Sequence, residues 1–180
     1  MINICTILCL CYNRIKEIKE RTTMIKDKEI TSSTIADFFL TKESLTPKKV
    51  QKLVYYAYAW FIALNNQDAE NIENVFFDEV PEAWMHGPVF PSLYQRFKEY
   101  GWHEIPKRKD DIKFENEDIE SFLNIIWKKF GRFSADDLEF MTHQETPWRN
   151  ARKDIVDFAP SAQKIQLKDI FTCYNEKLSA

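Results

Sequence analysis

Glycine is scarce in this chain, with three in 180 residues. Sandwiches rich in hairpins need residues with positive φ at their turns, so the shortage argues for helices joined by prolines and polar caps. It also leaves little material for phosphate-cradling turns: neither a P-loop nor a Gly-rich dinucleotide turn is present, and GxSxG and HExxH are missing too. The four cysteines, Cys5, Cys9, Cys11 and Cys173, contain no CxxC pair and no histidine at zinc-like spacing. They support neither a disulfide framework nor a metal site. A strong excess of one charge is lacking as well, since 25 Lys and Arg face 28 Asp and Glu, for a net charge of -3 and a pI near 5.7. That balance argues against a broad phosphate-binding face and so against nucleic acid as a partner. Two small basic clusters, Lys48, Lys49 and Lys52, then Lys107, Arg108 and Lys109, have acidic neighbours and read as solvated faces. Nor is there an apolar run of the roughly 20 residues that a membrane span requires.

What the chain does have is 44% apolar and 14% aromatic residues, enough for one soluble domain with a full core. Residues 1–23 differ in composition from the rest. Their apolar run has no basic residue before it and no small-residue cleavage site after it, so a signal peptide is a poor reading. Lys19 and Glu20 can be encoded as AAGGAG, a ribosome-binding sequence suitably placed before the Met24 codon. The expectation is that residues 1–23 are a non-native or disordered extension and that one domain spans 24–180.

From there the pattern is mainly α, a compact bundle around a central helix at about 46–65. Thr31 or Ser32 can cap a first short helix with Ile35, Phe38 and Phe39 inward. Thr46 and Pro47 then provide an N-cap and a first-turn proline, with Leu45 and Val50 at staple spacing. The twelve residues Leu53 to Leu64, LVYYAYAWFIAL, are apolar or aromatic on every side. A helix of that kind belongs at the buried centre of a bundle. A small two-stranded ribbon is expected near 75–86, from Val75–Asp78 and Glu82–Met85 with Pro81 at the bend. Further helices are expected from Pro91 or Ser92, with Leu93, Phe97 and Tyr100 on one face, through Ile119 to Phe130, after Ser134, at Thr146-Pro147, and from Ser161 to the end.

The segment Glu82–Tyr94, EAWMHGPVFPSLY, holds Trp84, His86, Gly87 and two prolines between a strand-like and a helix-like run. Gly87 before Pro88 permits a sharp turn between the two, and Trp84 and His86 are expected to alternate with Met85 across a strand. Of the three histidines, His86 and His143 lie in unusual contexts, and Glu82 and Glu145 are candidate carboxylate partners. With no nucleophile motif beside them, a hydrogen-bonded structural role outweighs catalysis.

Three blocks together resemble a known family: VQKLVYYAYAW (Val50 to Trp60), FFDEVPEAWMHGPVFPSLYQRFKEYG (Phe76 to Gly101) and GRFSADDLEFMTHQETPWRNAR (Gly131 to Arg152). They are similar to the Panacea domain, the SocA-like antitoxin family also met as a phage-associated protein, in the same order and spacing. Residues 1–23 fit no part of that pattern.

The resemblance implies a cytoplasmic, bacterial, non-enzymatic protein. It would act as the antitoxin of a two-gene toxin-antitoxin module, binding a cognate toxin encoded by a neighbouring gene. It also implies an alternative role as an adaptor that delivers the toxin to a protease. A hydrolase using His86 and His143 is the third reading. No cofactor, metal or membrane is expected. The family-motif residues Trp84, His86, Gly87, Pro88, Tyr94, His143, Pro147 and Trp148 form the candidate toxin-binding region.

Overall fold

The computed structural model describes residues 30–156 and 159–179, so the expected start at Met24 and the residues before it lie outside the described part. Within it the chain is mainly α-helical with one small ribbon. The elements are α1 (Ser32–Leu40), α2 (Pro47–Asn65), β1 (Glu82–Trp84), β2 (Gly87–Val89), α3 (Pro91–Phe97), α4 (Glu117–Phe130), α5 (Ala135–Gln144), α6 (Thr146–Ala151) and α7 (Leu167–Ser179). No helix among the described residues is long and apolar enough to cross a membrane.

Helix α2 organises the rest. Thr46 accepts a hydrogen bond from the Lys49 amide and Pro47 occupies the first turn, where a missing N–H leaves no helical bond unmade. All but one of the residues from Val50 to Leu64 are buried, and α1, α4, α5 and α7 pack around them. The core is unusually aromatic. Tyr56 stacks on Phe130 of α4 with ring centres 4.0 Å apart, and Tyr58 lies against Phe77 and Phe90 at 4.9 and 5.4 Å. Removing side chains of this size from water is worth roughly 1.5 to 3 kcal/mol each, so the central helix supplies much of the burial that holds the fold. Those rings bring their hydroxyls with them, and burial drives the Tyr56 and Tyr58 phenols well above their ordinary range.

Polar side chains fasten the joints between elements. Glu79 accepts from the Ser92 amide and hydroxyl at the start of α3 and from Ser32 at the start of α1, so one carboxylate ties two helix beginnings together. It satisfies the Ser92 amide of α3, for which Phe90 at the N-cap has no side-chain acceptor. Asn66 closes α2 by donating to the Ile62 and Asn74 carbonyls and accepting from the Glu73 and Asn74 amides.

Three expectations need correction. The ribbon pairs β1 with β2, Glu82 opposite Val89 and Trp84 opposite Gly87, and Val75–Asp78 is no strand. The other edge of β1 is taken by the chain around Lys164, through bonds from the Ala83 amide to Gln163 and from the Ile165 amide to Pro81. For the same reason α7 starts at Leu167 rather than Ser161: residues 163–165 are extended against β1 and unavailable to a helix. Tyr100, expected on the inner face with Leu93 and Phe97, is exposed, because α3 tightens into a 3-10 turn at Lys98–Tyr100 and the register of the inner face is lost.

Candidate functional site

The hairpin β1–β2 turns through Met85 and His86, and Gly87 follows at φ +94°. Only a residue without a Cβ adopts that angle freely. Space demands glycine as well, since a Cβ there would lie 2.8 Å from Lys52 Cε, Lys52 Nζ and Thr142 Oγ1. His86 is therefore at the tip of a turn, not in a strand as expected. Its side chain is 63% exposed.

Beneath the turn, two neighbouring side chains of α2 hold β2 and the residue after it by their backbone. Gln51 accepts from the Phe90 amide at 2.9 Å and donates to the Phe90 carbonyl at 3.1 Å, as a neighbouring strand would. Lys52 donates to the Pro88 carbonyl at 3.0 Å. Lys52 was expected on a solvated face, yet it is 1% exposed. Burial pulls its ammonium down to about 7, partly opposed by the Glu139 carboxylate. Spacing gives no warning of this, because the run that follows is apolar on every side and Lys48, Lys49 and Lys52 all lead into it.

Helix α5 provides the other wall. Ser134 and Asp137 form its capping box, and Leu138 and Thr142 face inward, which sets Glu139 and His143 towards the hairpin. Glu139 accepts from His86 Nδ1 at 2.9 Å and from Lys48 Nζ at 2.7 Å, and Lys48 also pairs with Asp136. Burial would raise the Glu139 carboxyl, but these two donors outweigh it and hold it below its ordinary value. As an ionised carboxylate can only accept, the proton between them belongs to His86 Nδ1.

His143 behaves differently. It stacks on Trp148 with ring centres 4.0 Å apart, and its Nε2 is buried without a hydrogen-bond partner. Burial lowers its affinity for a proton, and the nearby Lys52, His86 and Arg152 act in the same direction against Glu139. Trp148 donates from Nε1 to the Trp84 carbonyl at 2.9 Å, and Arg152 reaches the Ala83 carbonyl at 2.9 Å while lying over the Trp148 ring. Helix α6, opened by the buried Pro147, thus clasps β1 by successive carbonyls.

The carboxylate that His86 meets is Glu139, neither of the expected partners, and Glu139 acts on His143 only through its charge. Glu82 accepts from the Trp84 indole, and Glu145 is buried against Tyr174 and Lys177 at 2.7 and 2.6 Å. Among the eight candidate residues, His86 and Tyr94 are exposed, with Tyr94 packed on Trp84 at 4.8 Å. Gly87, Pro88 and Pro147 are buried, and Trp84, His143 and Trp148 are half-buried in contacts that join elements. Lys48, Lys52, Asp136 and Glu139 were missed. The signal for Glu139 was its position one turn before His143 in a capped helix. No group of three or more His, Cys, Asp or Glu side chains suited to a metal occurs among the described residues.

No curated protein and no solved structure matches this chain significantly. A family model, described as antitoxin SocA-like, Panacea domain, matches residues 50–149. That range runs from the first buried turn of α2 to α6 and takes in Gln51, Lys52, the His86 turn, Glu139, His143 and Trp148. The chain belongs to the SocA-like antitoxin family, through its Panacea domain.

Proposed function

We propose that this protein is the antitoxin of a two-gene module and neutralises its cognate toxin by direct binding, without chemistry of its own. Membership of the antitoxin family, over more than half of the chain, carries the reading. The site's geometry is compatible with it. His143 has its free nitrogen shut away, no serine, cysteine or threonine among the described residues is hydrogen-bonded to His86, and what faces outward is the side of α5 beside the His86 turn. The toxin is the product of the neighbouring gene, and both proteins act in the cytoplasm.

Co-expression tests the reading. The neighbouring gene alone should arrest growth, and growth should return when this chain is supplied with it. A neighbouring gene that is harmless alone, or one whose toxicity persists beside this chain, would disprove neutralisation. Pulse-chase measurement of the toxin distinguishes the mechanism, because a neutralising antitoxin leaves its half-life unchanged or longer, whereas a proteolytic adaptor shortens it.

A further inference from the structure

The outer side of α5 carries three exposed side chains four residues apart, Asp136, Phe140 and Gln144. Residues at that spacing are neighbours on a helix surface. Asp136 has a side chain 87% exposed and Phe140 is 66% exposed, an unusual degree for a large aromatic residue. Lys48 links Asp136 to Glu139, and Glu139 in turn holds His86, so helix side and turn form one continuous patch.

Around Asp136 and Phe140 the hydrogen-bonding character is one-sided, whereas Gln144 one turn further on both donates and accepts. Its nearby cations are already engaged, Lys48 by two carboxylates and Lys52 by the Pro88 carbonyl beneath the surface. What is left facing outward is the remaining acceptor capacity of Asp136 and the π face of Phe140, with the exposed His86 ring at the edge. A carboxylate beside an open aromatic face suits a guanidinium, which donates to the first and lies over the second.

We propose that this patch binds an arginine-bearing segment of the toxin, with the guanidinium on Phe140, its N–H groups on Asp136, and the neighbouring part of the segment against the exposed His86 ring. This inference rests on the neutralisation reading and adds to it the place and chemistry of contact.

The test uses the full-length protein and, as probe, the purified product of the neighbouring gene. Affinity should fall by about tenfold or more in Phe140→Ala and in Asp136→Lys, and should stay within about twofold in Trp102→Ala, whose side chain is 91% exposed at a site outside α5. An Arg→Glu scan of the toxin should then find one arginine whose reversal restores binding to Asp136→Lys. Wild-type binding with both α5 variants within about twofold of it would overturn the patch and leave neutralisation intact. Loss of binding in Trp102→Ala alone would do the same by placing the contact elsewhere. If wild-type protein neither binds the probe nor protects against it, neutralisation itself fails, and this inference with it.

Discussion

Lys52 Nζ lies 3.0 Å from the Pro88 carbonyl, so a fully buried ammonium holds up the turn that carries His86. Burying a cation without a full ion pair is costly, and the pull of its pKa to about 7 expresses that cost. The unfolded chain binds this proton up to about pH 10.4, whereas the folded chain releases it near neutrality. Between those values the unfolded state carries more protons, so this group makes stability rise with pH and its full cost is felt below pH 7.

The Lys52→Met variant should therefore lack part of the alkaline gain. Urea unfolding of wild type and variant at pH 7 and pH 9 isolates the group, because other titrations cancel in the difference. Wild type should gain on the variant by more than about 1 kcal/mol over that interval. Equal slopes would show that the lysine does not release its proton in the folded state.

Gly87→Ala should be among the most damaging small substitutions in the chain. Its methyl group meets Lys52 and Thr142 at 2.8 Å in a backbone conformation that side chains rarely adopt. Overpacking and backbone strain together should cost roughly 2–3 kcal/mol, which lowers the melting temperature by about 5–10 °C for a domain of this size. Gly101→Ala is the informative contrast. It also has positive φ, but no heavy atom lies within 4 Å of the added carbon, so it should cost about 1–2 kcal/mol from the backbone alone.

Trp148→Phe tests the clasp between α6 and β1. Phenylalanine can still stack on His143, but the Trp84 carbonyl loses its donor at 2.9 Å. A half-buried carbonyl left unpaired should cost about 1–3 kcal/mol in denaturant unfolding. Because the loss acts through the fold, toxin affinity measured on the folded fraction should change little.

The sequence patterns that fixed elements were those with a local cause. Thr46-Pro47, Ser134 and the twelve apolar residues of α2 announce their helices by caps and burial, and each is found where expected. The site was less legible because its partners are distant in the chain: Lys52 and Pro88, His86 and Glu139, Trp84 and Trp148 meet only in the folded molecule. Charge composition worked against the reading too. A lysine in a Lys-rich turn looks solvated, and Lys52 is covered by the Gly87–Pro88 turn, which is distant in the chain. Likewise Glu82 and Glu145 were near the histidines in sequence, but the strand and the start of α6 turn them towards the Trp84 indole and Tyr174.

Glu139→Gln separates holding the turn from forming the fold. The carboxyl of Glu139 titrates below its ordinary value in the folded protein, so its contribution to stability is present above about pH 4.5 and is lost as pH falls through the lower folded value. The amide has no such dependence. The stability difference between wild type and Glu139→Gln should thus be largest near pH 6 and shrink towards pH 3.5, as urea titrations at the two pH values will read. At neutral pH the substitution should leave most of the fold in place, since Glu139 and Lys48 are both partly exposed. His86, however, loses the anion that holds its Nδ1, and the exposed ring is no longer fixed in place. Protection against the toxin should consequently fall in Glu139→Gln and in His86→Ala alike, and the double variant should be no worse than either alone. Additive losses in the double variant would mean that the two residues act on the toxin separately, and that Glu139 does not work by positioning His86.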